Sequence, residues 1–371
     1  MTYLLKKCSG TFIALVTIRL IARNEMLHIK INNIQSERKA GGNMICRLHA
    51  PINHTAGYCH YCGTICLFII LFLIITVVPA KAVTNAVSYL YNLSNFNGPV
   101  LSQWANIYVD KGNRDIYVID PRKQDIRVFD ENGMEVYIFG DDGSLGYVKD
   151  LTVDGHGNPI IISRMGLEPD IILLNYRGKQ LSEIELTDLP DSFSKFRPDR
   201  VIYRDEKIYL AQTDRLLIVV ADMNGVYQTG YDIASLLNIP SKKRDENIIT
   251  GLTLDKNGNI LFTISVLFQA FRLAPDGEIE AFGKSGGGPG TFGVIAGIAS
   301  DDKGFIYIAD RLRCVVMVFD NDLEFLTEFG YRGYRPGNLI VPDDIDVDSD
   351  GKIYVSQAGG RGVSVFSISH N

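Results

Sequence analysis

Between residues 293 and 330 apolar positions come in short bursts broken by polar ones. Residues 295–299, 305–309, 314–319 and 324–329 are rich in Ile, Val, Tyr and Phe, and the breaks include Asp301-Asp302-Lys303-Gly304 and Asp320-Asn321-Asp322. Runs this short, punctuated by Asp, Asn and Gly, predict strands and tight turns and not a helix. The stretch therefore reads as a four-stranded antiparallel meander. One such sheet cannot bury both of its faces alone and needs neighbours of the same kind.

The chain supplies them. Aligned on the second run of each unit, residues 115–118 (DIYV), 158–161 (NPII), 207–210 (KIYL), 259–262 (NILF), 305–308 (FIYI) and 352–355 (KIYV) recur at intervals of 43, 49, 52, 46 and 47. A period in the forties with four strands per unit is the signature of a β-propeller. The turns repeat as well. Asn132-Gly133, Arg177-Gly178, Asn224-Gly225 and Asp276-Gly277 mark outer hairpins, whereas the third unit lacks a glycine in its first hairpin and the fifth lacks one in its second. The sixth unit runs out after residues 363–368 (VSVFSI), and residues 87–93 (VSYLYNL) have strand character without a unit of their own. The expected fold is all-β: a six-bladed β-propeller of four-stranded antiparallel blades over residues 83–371, closed by this N-terminal strand and preceded by one hydrophobic helix.

The fifth unit, with Ile306-Tyr307-Ile308-Ala309-Asp310 followed by Val316-Met317-Val318-Phe319-Asp320, resembles the NHL repeat. So does the first, from Asn113-Arg114-Asp115-Ile116-Tyr117-Val118-Ile119-Asp120 to Ile126-Arg127-Val128-Phe129-Asp130. The glycine-rich connector over residues 282–292 is similar to those between NHL blades. The resemblance implies a six-bladed ring. It leaves function open, since binding scaffolds, lactone hydrolases and an amidating lyase share this shape.

Charge divides the chain. Residues 1–63 carry eight basic against two acidic side chains, while 28 basic and 41 acidic residues follow Lys81. The basic segment reads as unstructured or as an over-extended start, with Met44 as the alternative first residue. The acidic body argues against nucleic acid as a partner. Residues 64–80 (TICLFIILFLIITVVPA) contain no charge, and Ala80-Lys81-Ala82 has a cleavage-site pattern. Residues 64–82 are thus expected to be a signal h-region cleaved after Ala82, or alternatively a retained transmembrane anchor, with the body exported to a periplasmic or extracellular space. Five of the six cysteines precede the body, and Cys314 is expected to be a small buried side chain.

Candidate chemistry is sparse. Gly283-Lys284-Ser285 has the wrong spacing for a phosphate loop and opens no helix. Asp346-Val347-Asp348-Ser349-Asp350-Gly351 matches half a calcium loop, but Gln357 stands where a bidentate Glu is required, so turn chemistry is the preferred reading. After Ala82 only His156 and His370 remain, too few for a multi-histidine metal centre. No cofactor is expected. Asp150, Asp199 and Asp344, near the starts of first strands, keep a lactonase-like channel open as an alternative.

The preferred site is a basic, aromatic rim. Loops between second and third strands share one face with the inter-blade connectors, and they carry Arg122, Arg164, Arg215, Arg311, Arg313, Arg332, Tyr334, Arg335 and Arg361. Arg and Tyr are favoured anchors at binding surfaces. The expected function is a protein-, peptide- or glycan-binding scaffold acting through this loop face. The alternative is a channel-centred, lactonase-like hydrolase or lyase, with or without calcium.

Overall fold

One side-chain device starts most of the blades. In the hairpin between first and second strands, an Asp carboxylate accepts the backbone N–H groups two and four residues onward. Asp255 takes Asn257 N at 2.8 Å and Asn259 N at 3.0 Å; Asp301 takes Lys303 N at 3.0 Å and Phe305 N at 2.9 Å. The second oxygen pins the following strand, through Asn259 Nδ2 at 2.8 Å in one case and the Tyr307 hydroxyl at 2.9 Å in the other. Asp154 repeats the first arrangement and Asp348 the second. In the outer hairpins Asp130, Asn175, Asp222 and Asp320 each bind the same two N–H positions. This is Asx-turn chemistry, and it explains why the acids gather at turns. The central Asp348 of the calcium-like run is consumed by its own hairpin.

The computed structural model describes residues 86–369 throughout, together with short strands between residues 2 and 46. The chain divides into two units, Met1–Lys81 and Ala82–Asn371. In the first, Thr2–Lys6 pairs with Ile13–Thr17, Ile21–Arg23 with Met26–His28, and Ser36–Arg38 with Met44–Cys46. The hydrophobic helix expected over residues 64–82 lies outside the described residues. Among the described residues no helix is long and apolar enough to cross a membrane.

The second unit is built on six four-stranded antiparallel sheets, five of them in sequential strand order. Their first strands are Asn106–Asp110, Tyr147–Val153, Arg200–Arg204, Ile249–Leu254, Ile295–Ser300 and Pro342–Val347. In the sixth sheet the fourth position is taken by Ala86–Asn92, which pairs with Val363–Ser369. Buried side chains form clusters shared by neighbouring blades. Ile126 and Phe139 of blade one pack with Leu151 and Ile172 of blade two, and Ile116 and Phe129 of blade one pack with Tyr354 and Val365 of blade six. Removing a large side chain such as Phe129 from water contributes roughly 1.5–3 kcal/mol, and only a neighbouring blade provides the cover.

Two hairpins without glycine are built by other means. Asp205 and Glu206 both adopt positive φ, at 50° and 58°, so the third blade makes the same type of tight turn with non-glycine residues. In the fifth blade the positive φ falls on Leu323, at 65°. Gly225, at φ 82°, has no such freedom: a methyl group there would overlap the Glu185 carbonyl oxygen of the preceding blade. The outer hairpin thus grips its neighbour, as the Thr187–Val226 bridge shows. Cys314 is buried, as expected.

Because strands alternate in direction, the 1–2 and 3–4 hairpins lie on one face of the ring. The 2–3 loops and the inter-blade connectors lie on the other. We call these the hairpin face and the loop face.

Candidate functional site

The first strands face a common axis, and two of them carry acids on it. Asp344 and Asp346, two residues apart on one strand, share a face of that strand. Asp344 Oδ2 accepts Ile107 N at 2.8 Å and Asp346 Oδ2 accepts Val109 N at 2.7 Å. Blade two repeats this toward blade three: Asp150 Oδ2 accepts Val201 N at 2.8 Å, and Thr152 Oγ1 accepts Tyr203 N at 3.0 Å. Side chains of one blade therefore occupy the free backbone donors of the next. Between blades four, five and six the contact is closer. A methyl group on Gly297 would lie 2.9 Å from the Asp344 Oδ1.

These strands enclose a cavity of about 690 Å³, which runs from Asp150, Arg200 and Asp344 to the first hairpins. Arg200 sits 3.6 Å from Asp150 Oδ1. Burial works against its charge, but Asp150 and Asp344, joined by Asp199 and Asp343, outweigh burial and raise its pKa. Burial also raises the carboxyl groups: Asp150 to about 6, with Arg200 opposing and Asp344 adding. Asp346 is pushed up to about 7 by burial, against the Val109 N–H and Lys111. Asp344 is raised for the same first reason, with Arg200 opposing. The mouth is cross-linked. Lys111 Nζ meets Asp302 Oδ1 at 3.0 Å, and Lys256 Nζ donates to the Lys303 carbonyl at 2.9 Å. His156 lines this mouth.

The cavity opens on the hairpin face, and none of the nine rim residues lines it. Of the channel acids expected from sequence, Asp150 and Asp344 line it. Asp199 instead binds Thr213, through N at 3.1 Å and Oγ1 at 2.7 Å. Among the described residues no group of His, Cys, Asp or Glu has the spacing to hold a metal ion. Sequence reasoning missed Arg200 altogether and saw Asp346 only as part of the calcium-like run. The legible signal was the acid at alternate positions of a first strand, Asp344-x-Asp346, aligned with Asp150-x-Thr152.

On the loop face the rim splits. Arg215 faces Asp245 at 3.6 Å, and Arg164 is exposed. Arg313 turns inward, donating to Glu328 at 2.7 Å and to the Thr291 carbonyl at 2.9 Å, so its charge is neutralised within its blade. Arg122, Arg311, Arg332, Tyr334, Arg335 and Arg361 belong to blades five, six and one. There Arg311 pairs with Asp343 and stands 5.6 Å over the Trp104 ring.

The sequence matches no family model, and no curated protein is detectably similar. The fold has clear counterparts. A protein of unknown function from Bacteroides thetaiotaomicron aligns over 99% of this chain and 90% of its own, at 13% identity and a TM-score of 0.56. A streptogramin B lyase aligns over 78% of this chain and all of its own, at 15% identity and a TM-score of 0.50. A gluconolactonase from Xanthomonas campestris aligns over 79% and 93%, at 12% identity and a TM-score of 0.50. At such identities the likeness establishes the fold alone: this chain contains a six-bladed β-propeller.

Proposed function

We propose that this chain is a binding propeller of NHL type, whose ligand enters the axial cavity from the hairpin face. One observation carries this reading: a cavity of about 690 Å³ lined by Arg200, which pairs with Asp150, and by Asp344 and Asp346. A concave site with a few converging polar groups suits a small polar ligand that both donates and accepts hydrogen bonds. The carboxylates are already engaged by backbone N–H groups of the next blade, which favours holding a ligand over attacking it. Calorimetric titration with glucose, gluconate and spermidine tests the proposal. Saturable heat with one of them, abolished by Arg200→Gln, is the expected result. No heat with any, or heat that survives the substitution, would overturn it.

A second reading is a channel-centred hydrolase or lyase, by analogy with the streptogramin B lyase and the gluconolactonase of similar fold. It is favoured by Asp150 and Asp346, whose raised values of about 6 and 7 suit proton transfer near neutrality. Turnover of gluconolactone that disappears in Asp150→Asn would select it. Two sequence expectations join the proposal: closure of the ring by the strand Ala86–Asn92, and export directed by residues 64–82.

A further inference from the structure

The loop face is electrostatically lopsided. Around blades two to four three arginines are neutralised, Arg197 by Glu168, Arg215 by Asp245 and Arg244 by Asp232, and Arg164 stands exposed by itself without an ion pair. Around blades five, six and one Arg311 and Arg313 are paired, with Asp343 and Glu328, but four others are not. Arg332 donates to the Leu312 carbonyl at 3.0 Å, Arg361 to the Tyr334 carbonyl at 3.0 Å, and Arg122 to the Gln103 side-chain oxygen. Among the described residues none of these three, nor Arg335, forms an ion pair. Backbone contacts spend one or two of a guanidinium's five donors and leave its charge intact.

The same contacts make the patch continuous. Gln103 and Trp104 lie between Arg122 and Arg311. Gly362 N donates to the Ser102 carbonyl at 3.2 Å, which ties this segment to Arg361. Apolar side chains stand out of the ledge: Tyr334 is 82% exposed, Leu101 62%, Leu312 59% and Tyr331 57%. A monomer seldom leaves such a mixture open without a use.

We infer that this ledge is a docking surface for an acidic peptide segment of another protein. Charge complementarity selects the sign. Four uncompensated guanidinium groups stand on a chain of net charge −6, so an anionic partner is drawn here and repelled elsewhere. The chain's own first 63 residues have the wrong sign to fill it, with eight basic against two acidic side chains. The exposed leucines select the class, because they offer apolar contact that a peptide side chain satisfies and a sulfated sugar or phosphate backbone does not. The site is independent of the axial cavity.

The chain has one tryptophan, Trp104, and it lies on the ledge, so its emission reports docking there. The probe is a random Glu-Tyr copolymer, with Trp104 excited where tyrosine does not absorb, on the full chain at low salt. The expected result is a saturable change in Trp104 emission that weakens as salt rises. The double reversal Arg332→Glu with Arg361→Glu should weaken binding at least about tenfold, and the reversal Arg215→Glu less than about twofold. The milder pair Arg332→Gln with Arg361→Gln, matched to wild type in melting temperature, should give an intermediate loss. The inference is overturned by any of three results: no emission change in wild type, equal effects of the ledge and control variants, or tighter binding of heparin or a single-stranded oligonucleotide than of the copolymer.

Discussion

Asp344 accepts the backbone N–H of Ile107 at 2.8 Å, although 237 residues separate them in sequence. Its neighbour Asp346 does the same for Val109, so two carboxylates tie blade six to blade one as side-chain substitutes for a strand ladder. A donor left unpaired in such a place costs about 1–3 kcal/mol. Asp346→Ala should therefore destabilise the fold by that amount in urea unfolding. Asp346→Asn, which keeps an acceptor oxygen, should lose less.

The same carboxyl groups predict a pH dependence. Asp150 and Asp346 bind protons more tightly in the folded chain, at about 6 and about 7, than the ordinary Asp value of about 4. Their contribution to stability is complete below about pH 4 and is lost as pH rises through these values. The melting temperature should fall between pH 5 and pH 8, with an effect on the order of 1 kcal/mol or more per group. The double variant Asp150→Asn with Asp346→Asn should flatten that slope. Asp232, whose pKa is lowered although its burial opposes this, chiefly through the Arg244 hydrogen bond, acts in the opposite sense but below this window.

Ring closure predicts a truncation effect. Tyr89 packs edge-on against Phe366 with centroids 5.8 Å apart, and Leu93 is 1% exposed. Deleting residues 83–97 removes these contacts and the outer strand of blade six. The loss should exceed about 3 kcal/mol in thermal or urea unfolding of the propeller. A truncated chain that melts like the intact one would refute closure by this strand.

Gly225 gives a local test of how blades grip one another. Ala at φ 82° is strained, and its methyl would meet the backbone carbonyl of Glu185, which has no easy way to move. Gly225→Ala should cost more than about 1 kcal/mol. Gly277→Ala, at φ 92° with open space around it, should cost only the backbone term.

The blades were legible in the sequence because the turn chemistry is local. An Asp that binds the N–H groups two and four residues onward leaves the same spacing in every unit, as Asp255 and Asp301 show. The third blade was harder, because Asp205 and Glu206 supply positive φ without the glycine that normally announces it. The axial site was only half legible. Asp150 and Asp344 stand at strand starts, but the pairing of Arg200 with Asp150 joins two blades and leaves no local pattern. The pairing of Arg313 was illegible for a related reason: its partner Glu328 lies across its own blade, and position in a loop does not reveal that its charge is already spent.

The most direct measurement for the central claim is amide hydrogen exchange with and without saturating ligand, using the compound that calorimetry selects. Binding in the axial cavity predicts slower exchange in peptides covering Ile107–Asn113, Asp150–Gly157 and Arg200–Asp205, with the loop-face peptides around Leu312 and Tyr334 unchanged. Protection confined to those loop-face peptides, with the first strands unaffected, would contradict it.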